Sequence, residues 1–179
     1  PARLAALRAH LKSEGLDGTI VPRADVHQGE YVSERDARLA WLTSFTGSAG
    51  FCIVLEQVAG VFVDGRYRLQ GRAQVAEDFD IVPWPDVKAA DWIKEHASGA
   101  AVIGYDAWLH TTSEIEALKA GLKDTDIRLK PITNPVDAVW ENQPKAPTGI
   151  AKPHSIAHAG ESSAAKRAAL AQTLQQAGQ

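Results

Sequence analysis

The sequence predicts an α/β fold: a mixed β-sheet flanked by helices, then a linker and one further helix. Three observations carry this. Short apolar runs of strand length alternate with amphipathic segments of helix length through residues 79–140, the pattern of an α/β layer fold. Two apolar runs, 51–55 and 61–63, lie only a few residues apart, which reads as a β-hairpin and makes the sheet mixed rather than purely parallel. The composition is 45% hydrophobic and 23% charged, enough apolar material for a packed core.

Each element has its own signal. Residues 2–14 read as a helix because Leu4, Leu7 and Leu11 fall three and four apart, with Gly15 placed just past the end. A short strand follows at 18–22, then a polar loop over 23–30. A short helix is expected at 34–42, carrying Arg35, Arg38, Leu39 and Trp41. Thr46-Gly47-Ser48-Ala49-Gly50 is a flexible loop into the hairpin. Asp64-Gly65 closes the second hairpin strand and opens a helix at 66–75. Strands at 79–84, 101–105 and 126–132 alternate with helices at 86–96 and from Thr111 onward. In the latter, Glu114 stands three residues after Thr111, a capping-box spacing. Asn134-Pro135 starts a short helix, Asn as cap and Pro in the first turn.

This first domain is placed at residues 1–141. Pro144, Pro147 and Pro153 then mark a linker over 142–161, and a last helix occupies 162–179. That helix echoes the first: Ala5-Ala6-Leu7, Leu11 and Gly15 recur as Ala168-Ala169-Leu170, Leu174 and Gly178. Either two Ala-Leu helices match by chance, or residues 162–179 are the first helix of a second domain built like the first. A single amphipathic helix cannot bury its own apolar face, so the chain is expected to continue beyond this point.

Charge and cysteine content narrow the function. Nineteen basic against 22 acidic residues give a net charge of −3, with no basic stripe for nucleic acid. The apolar runs are too short to span a bilayer, and no basic-then-apolar leader opens the chain. The lone Cys52 lies in an apolar run and is expected to be a buried, inert thiol. A cytoplasmic protein, with no membrane or nucleic-acid partner, is the expectation.

Candidate chemistry is sparse. Asp25, His27 and Glu30 share a loop, but three polar loop residues are ordinarily just solvated, and a metal site needs three or four ligands in defined geometry. His154 and His158 have the spacing of a helical metal pair but lie in the Pro-rich linker without an acidic third ligand. Ser48 is out of register with a nucleophile elbow, and its loop precedes a strand, unlike a phosphate-cradling loop. Asp64-Gly65-Arg66-Tyr67 is the most informative tetrad. A glycine turn at a strand end puts Arg66 where functional groups commonly sit, and its planar fork suits carboxylates and carbonyls. A plain ion pair with Asp64 is the competing reading. The five tryptophans are read mostly as core or interface anchors, with Trp41 and Trp84 as candidates for a partner surface.

Taken together, His27-Gln28-Gly29-Glu30-Tyr31-Val32, Arg38, Phe45-Thr46-Gly47-Ser48-Ala49-Gly50 and Val63-Asp64-Gly65-Arg66-Tyr67-Arg68-Leu69-Gln70 resemble the N-terminal domain of cytosolic Xaa-Pro aminopeptidases. Asn134-Pro135-Val136-Asp137-Ala138-Val139-Trp140, followed by Gln143-Pro144, is similar to that family's exit from its first domain. The resemblance implies a creatinase N-terminal-type fold and a parent that removes the N-terminal residue from peptides with proline in second place. It implies two metal ions, usually manganese, held by two Asp, one His and two Glu in a third domain that this chain lacks. It also implies a homodimer. One functional residue is carried over: Arg66, as a contact to the peptide substrate. Gly47–Gly50 and Tyr67 are read as scaffold. The alternatives are a stand-alone α/β interaction module, or the N-terminal domain of a creatinase or prolidase relative. The chain alone is expected to be catalytically silent.

Overall fold

The computed structural model describes residues 2–178, which divide into two compact units, 2–146 and 147–178. The first holds a six-stranded sheet in the order β4-β3-β2-β1-β5-β6. Its strands are β1 (Gly18–Pro22), β2 (Phe51–Leu55), β3 (Ala59–Val63), β4 (Asp80–Pro83), β5 (Val102–Tyr105) and β6 (Arg128–Pro131). Only β2 runs against the others. It pairs antiparallel with β1 (Ile20 opposite Ile53) and with β3 (Cys52 opposite Val61), while β3–β4, β1–β5 and β5–β6 are parallel. The carboxyl ends of β1, β3, β4, β5 and β6 therefore share one edge of the sheet.

Alternation along the central strands divides the core between two faces. Cys52, Val54, Val61 and Val63 point to one face, against Leu4, Leu7 and Leu11 of α1 (Ala2–Ser13), Leu39 and Leu42 of α2 (Arg38–Thr43), and Val136 of α6 (Pro135–Val139). Ile53, Leu55 and Phe62 point to the other, against Ala90, Trp92 and Ile93 of α4 (Ala89–His96) and Leu122 of α5 (Thr112–Leu122). Each fully buried Leu or Ile contributes about 2 kcal/mol by leaving water. The result is helix, sheet, helix: three layers with both sheet faces covered.

The local signals act as read. Gly15 takes φ +67°, and the amide of Leu16 donates to Leu11 O at 2.9 Å while that of Gly15 donates to Lys12 O, a Schellman ending for α1. Thr111 and Glu114 cap each other reciprocally at the start of α5, and the Asn134 side chain accepts from the Val136 amide at 3.1 Å. Buried Thr19 donates its hydroxyl to Gly104 O on β5. The outermost strand β6 reads Arg-Leu-Lys-Pro, its charged and proline residues discouraging further strand addition.

Several boundaries move. The helix expected over 34–42 is a 3-10 turn, Glu34–Asp36, followed by α2, because Ala37 leaves helical geometry at ψ 43°. The helix expected from residue 66 begins at Arg68 as α3 (Arg68–Gln74), since Asp64 to Tyr67 form a turn closed by the Tyr67 amide on Asp64 O. The helix expected from residue 86 begins at Ala89, after a turn in which the Val87 amide donates to Pro83 O. The second unit contains a short helix α7 (Ile156–Ala159), capped by Ser155 within the expected linker, and α8 (Ser163–Gln176), capped by Ser162.

Candidate functional site

The carboxyl edge of the sheet gathers the loops after β1, β3, β4 and β5. On this edge, next to the outer strand β4, β3 ends in Asp64-Gly65-Arg66-Tyr67. The Asp64 carboxylate accepts the Arg66 backbone amide at 2.9 Å, Arg66 Nε at 3.1 Å and Arg66 Nη2 at 2.7 Å. The same two oxygens thus close the turn and hold the guanidinium. That hydrogen bonding holds the Asp64 carboxyl below the ordinary aspartate pKa, slight desolvation opposing it, and in return keeps Arg66 above its own ordinary value. The Arg66 side chain is still 67% exposed, and its Nη1 group makes no hydrogen bond among the described residues.

Tyr67 lies against this pair. The Arg66 guanidinium carbon sits 5.1 Å from the centre of the Tyr67 ring. The phenol oxygen shares a 2.7 Å hydrogen bond with Ser48 Oγ, and the ring meets buried Phe45 edge-on at 5.6 Å. The hydrogen bonds from Ser48 lower the Tyr67 pKa from its ordinary value, burial opposing and Arg66 assisting. Gly47 is required here: a Cβ on it would lie 2.2 Å from the Phe45 ring.

The other sequence candidates are not brought to this point as a set. Asp25 spends its Oδ1 on the amides of His27 and Gly29, at 2.9 and 3.2 Å, which shapes the loop after β1. Desolvation is the largest single influence and raises the Asp25 pKa, but the Gly29 and His27 amides with the His27 charge together outweigh it and hold it below the ordinary value. His27 and Glu30 are exposed. His154 and His158 lie in the second unit, also exposed, with ring centres 5.9 Å apart. Among the described residues no three His, Cys, Asp or Glu side chains converge to hold a metal ion. The residues present do not fit a dinuclear centre, and no metal-assisted step is assigned to them.

Two further features mark this edge, of which sequence reading names only Trp84. A crevice of about 760 Å³ opens beside α4 and α5, lined by Phe51, Trp84, Leu109, His110, Ile115 and Leu118 among others. His110 Nδ1 bonds Asp106 O at 2.9 Å, and its Nε2 is buried without a hydrogen-bond partner among the described residues. Exposed apolar side chains also collect here. Val26, Tyr31, Leu69, Trp84 and Trp108 all follow carboxyl strand ends; Trp84, a sequence candidate for a partner surface, is 41% exposed, and Trp108 is 77% exposed. Trp92 and Trp140 are buried, and Trp41 stacks on Trp140 at 5.1 Å.

The sequence model of the creatinase/prolidase N-terminal domain matches residues 3–139. This chain belongs to that family. Among relatives of the creatinase/prolidase N-terminal domain, a probable Xaa-Pro aminopeptidase P of Coccidioides posadasii is 36% identical over 170 residues, 89% of this chain and 27% of its own length. Aminopeptidase P1 of Lotus japonicus is 33% identical over 167 residues, 91% of this chain and 25% of its own. The chain thus spans about a quarter of the length of the curated relatives it matches, and corresponds to their creatinase/prolidase N-terminal part. The X-prolyl aminopeptidase of Caenorhabditis elegans, described as a cytosolic enzyme with a di-nuclear active site, superposes with a TM-score of 0.86 at 25% identity, covering 98% of this chain and 31% of that one. The N-terminal domain of the cytoplasmic peptidase PepQ from Mycobacterium tuberculosis shares the fold, at a TM-score of 0.63 and 24% identity over 77% of this chain and 98% of that one. Among the described residues no helix is long and apolar enough to cross a membrane.

Proposed function

We propose that this chain is the non-catalytic N-terminal portion of a dinuclear metallo-aminopeptidase that removes the first residue from peptides with proline in second place. In this reading the carboxyl edge shapes the substrate entrance, Arg66 holds the peptide through its unengaged donors, and the domain contributes to the contacts of a cytoplasmic homodimer. Residues 142–161 are the linker, and α8 is the first helix of a second, similar domain. The two metal ions, manganese in the first instance, and the hydrolytic chemistry belong to a further domain.

The observation that carries this is the setting of Arg66. It is fastened on one side by Asp64 and open on the other, on the edge where Val26, Tyr31, Leu69, Trp84 and Trp108 are exposed. Exposed apolar groups concentrated on one side mark a contact surface. A bidentate donor on the same edge suits peptide carbonyls or a carboxylate. The likeness to full-length Xaa-Pro aminopeptidases supports the substrate class.

The test is release of the N-terminal residue from an Xaa-Pro-Xaa peptide with added manganese. The full protein that carries this chain is expected to be active, and residues 1–179 alone inactive. Arg66→Ala in the full protein should lower kcat/KM about tenfold or more, the size of a lost charged hydrogen bond, with its unfolding curve unchanged. An unchanged kcat/KM would remove Arg66 from substrate binding, and inactivity of the full protein would overturn the aminopeptidase assignment.

A further inference from the structure

We infer that Tyr67 is a positioning residue for Arg66: its ring fixes the direction in which the free guanidinium donors face the peptide. The inference rests on the reading of Arg66 as a substrate contact.

The turn fixes the Asp64 carboxylate, but the arginine that meets it is 67% exposed, and an ion pair open to water is by itself a weak hold. Asp64 alone would leave the guanidinium free to rotate about the side it shares with the carboxylate. The Tyr67 ring removes that freedom. With the guanidinium carbon over the ring at 5.1 Å from its centre, the negative π face attracts the cation and holds it against the ring. The ring in turn cannot swing. Its hydroxyl is tied to Ser48 Oγ at 2.7 Å, and its edge packs on Phe45 at an interplanar angle of 85°. Phe45 is only 1% exposed and belongs to the core beneath α1 and α2. A rigid path thus runs from the core through Phe45 and Tyr67 to the surface arginine. Asp64 engages Nε and one hydrogen of Nη2, so the donors left to face a ligand are the two of Nη1 and the second of Nη2, set by these two holds together.

This predicts a pattern that a merely structural tyrosine would not give. In the full protein, Tyr67→Leu keeps apolar bulk against Phe45 but removes the π face. KM for the Xaa-Pro-Xaa peptide should rise about three- to fivefold, with kcat within about twofold. Tyr67→Phe keeps the face and should restore KM to within about twofold of the native protein. In an Arg66→Ala background, Tyr67→Leu should add nothing, since the residue acts only through the arginine. Losses that add in the double variant, or equal losses in the Leu and Phe variants, overturn the inference. If Arg66→Ala itself leaves KM and kcat unchanged, the underlying reading fails as well, so the two failures are told apart. A measurement on unsubstituted residues 1–179 does not depend on any variant folding. The Arg66 Nε–H order parameter should exceed about 0.6, and a fully mobile guanidinium overturns the inference.

Discussion

Asp64 and Arg66 stand two residues apart, and the turn between them decides what each can do. Because the carboxylate already closes the turn on the Arg66 amide, the ion pair adds to a fixed acceptor rather than gathering two loose chains. Its pH dependence has a definite sign. The folded pKa of Asp64 is depressed, so the pairing is present above the unfolded pKa and is lost as pH falls through the folded one. The Asp64 carboxyl carbon should therefore titrate below the ordinary aspartate range by NMR, and Arg66→Gln should move that midpoint back up. A midpoint indifferent to the substitution would mean that the pair does not persist in solution. Asp64, Gly65 and Arg66 were legible in the sequence because a glycine turn at a strand end is a local signal. The role of Tyr67 was not. It depends on a ring orientation set by Ser48, nineteen residues earlier and across the hairpin. His110 was equally silent, since its isolation comes from burial beside the crevice rather than from any neighbour in sequence.

Helices were most legible where their ends carry side-chain chemistry. In α5, Glu114 N donates to Thr111 Oγ1 at 3.3 Å and Thr111 N donates to Glu114 Oε2 at 2.8 Å, the reciprocal bonds that the spacing announced. Thr111→Ala should lower stability by about 1 kcal/mol in urea melts, with Thr111→Ser close to native. An Ala variant as stable as the native chain would mean that the cap is redundant with the packing of Ile115 and Leu122. Elements without such ends were harder to place. α2, α3 and α4 have no side-chain cap, and each begins only where a preceding turn runs out, which no local residue marks. Strand existence was secure for β2 and β3, whose residues are apolar on both faces. The length of β6 was overestimated because only Leu129 among its four residues is apolar. In the second unit, α8 keeps Leu170 and Leu174 at 58% and 42% exposed, whereas the matching Leu7 and Leu11 of α1 are buried. The echo between the two helices lies in their sequence and does not extend to their burial.

At the scale of the whole first unit, one ion pair closes the chain. Arg38 reaches across 99 residues to Asp137, Nε to Oδ1 at 2.6 Å and Nη2 to Oδ2 at 2.9 Å, with Asp36 on Nη1 and Gln143 on Asp137. Burial works against the Arg38 charge, and Asp137 and then Asp36 outweigh it, so its pKa stays above the ordinary value. Arg38→Met would leave two part-buried carboxylates facing each other and should cost about 3 kcal/mol in urea melts. Loss of less than about 1 kcal/mol would show that water replaces the guanidinium there. The layer order and mixed sheet could be read from patterning alone, but this pairing could not, because nothing local links residue 38 to residue 137. The sheet order has a further consequence. β2 and β3 follow β1 closely and can zip onto it as soon as they exist, whereas the other flank of β1 pairs with β5, as in the Thr19–Gly104 bond across 85 residues. While the chain emerges from a ribosome, that flank of β1 stays an open strand edge until Val102–Tyr105 has cleared the exit tunnel. An open edge invites pairing with another chain. The interval between synthesis of β3 and β5 is therefore when this domain is most exposed to misassembly, and a translational pause between them would lengthen it.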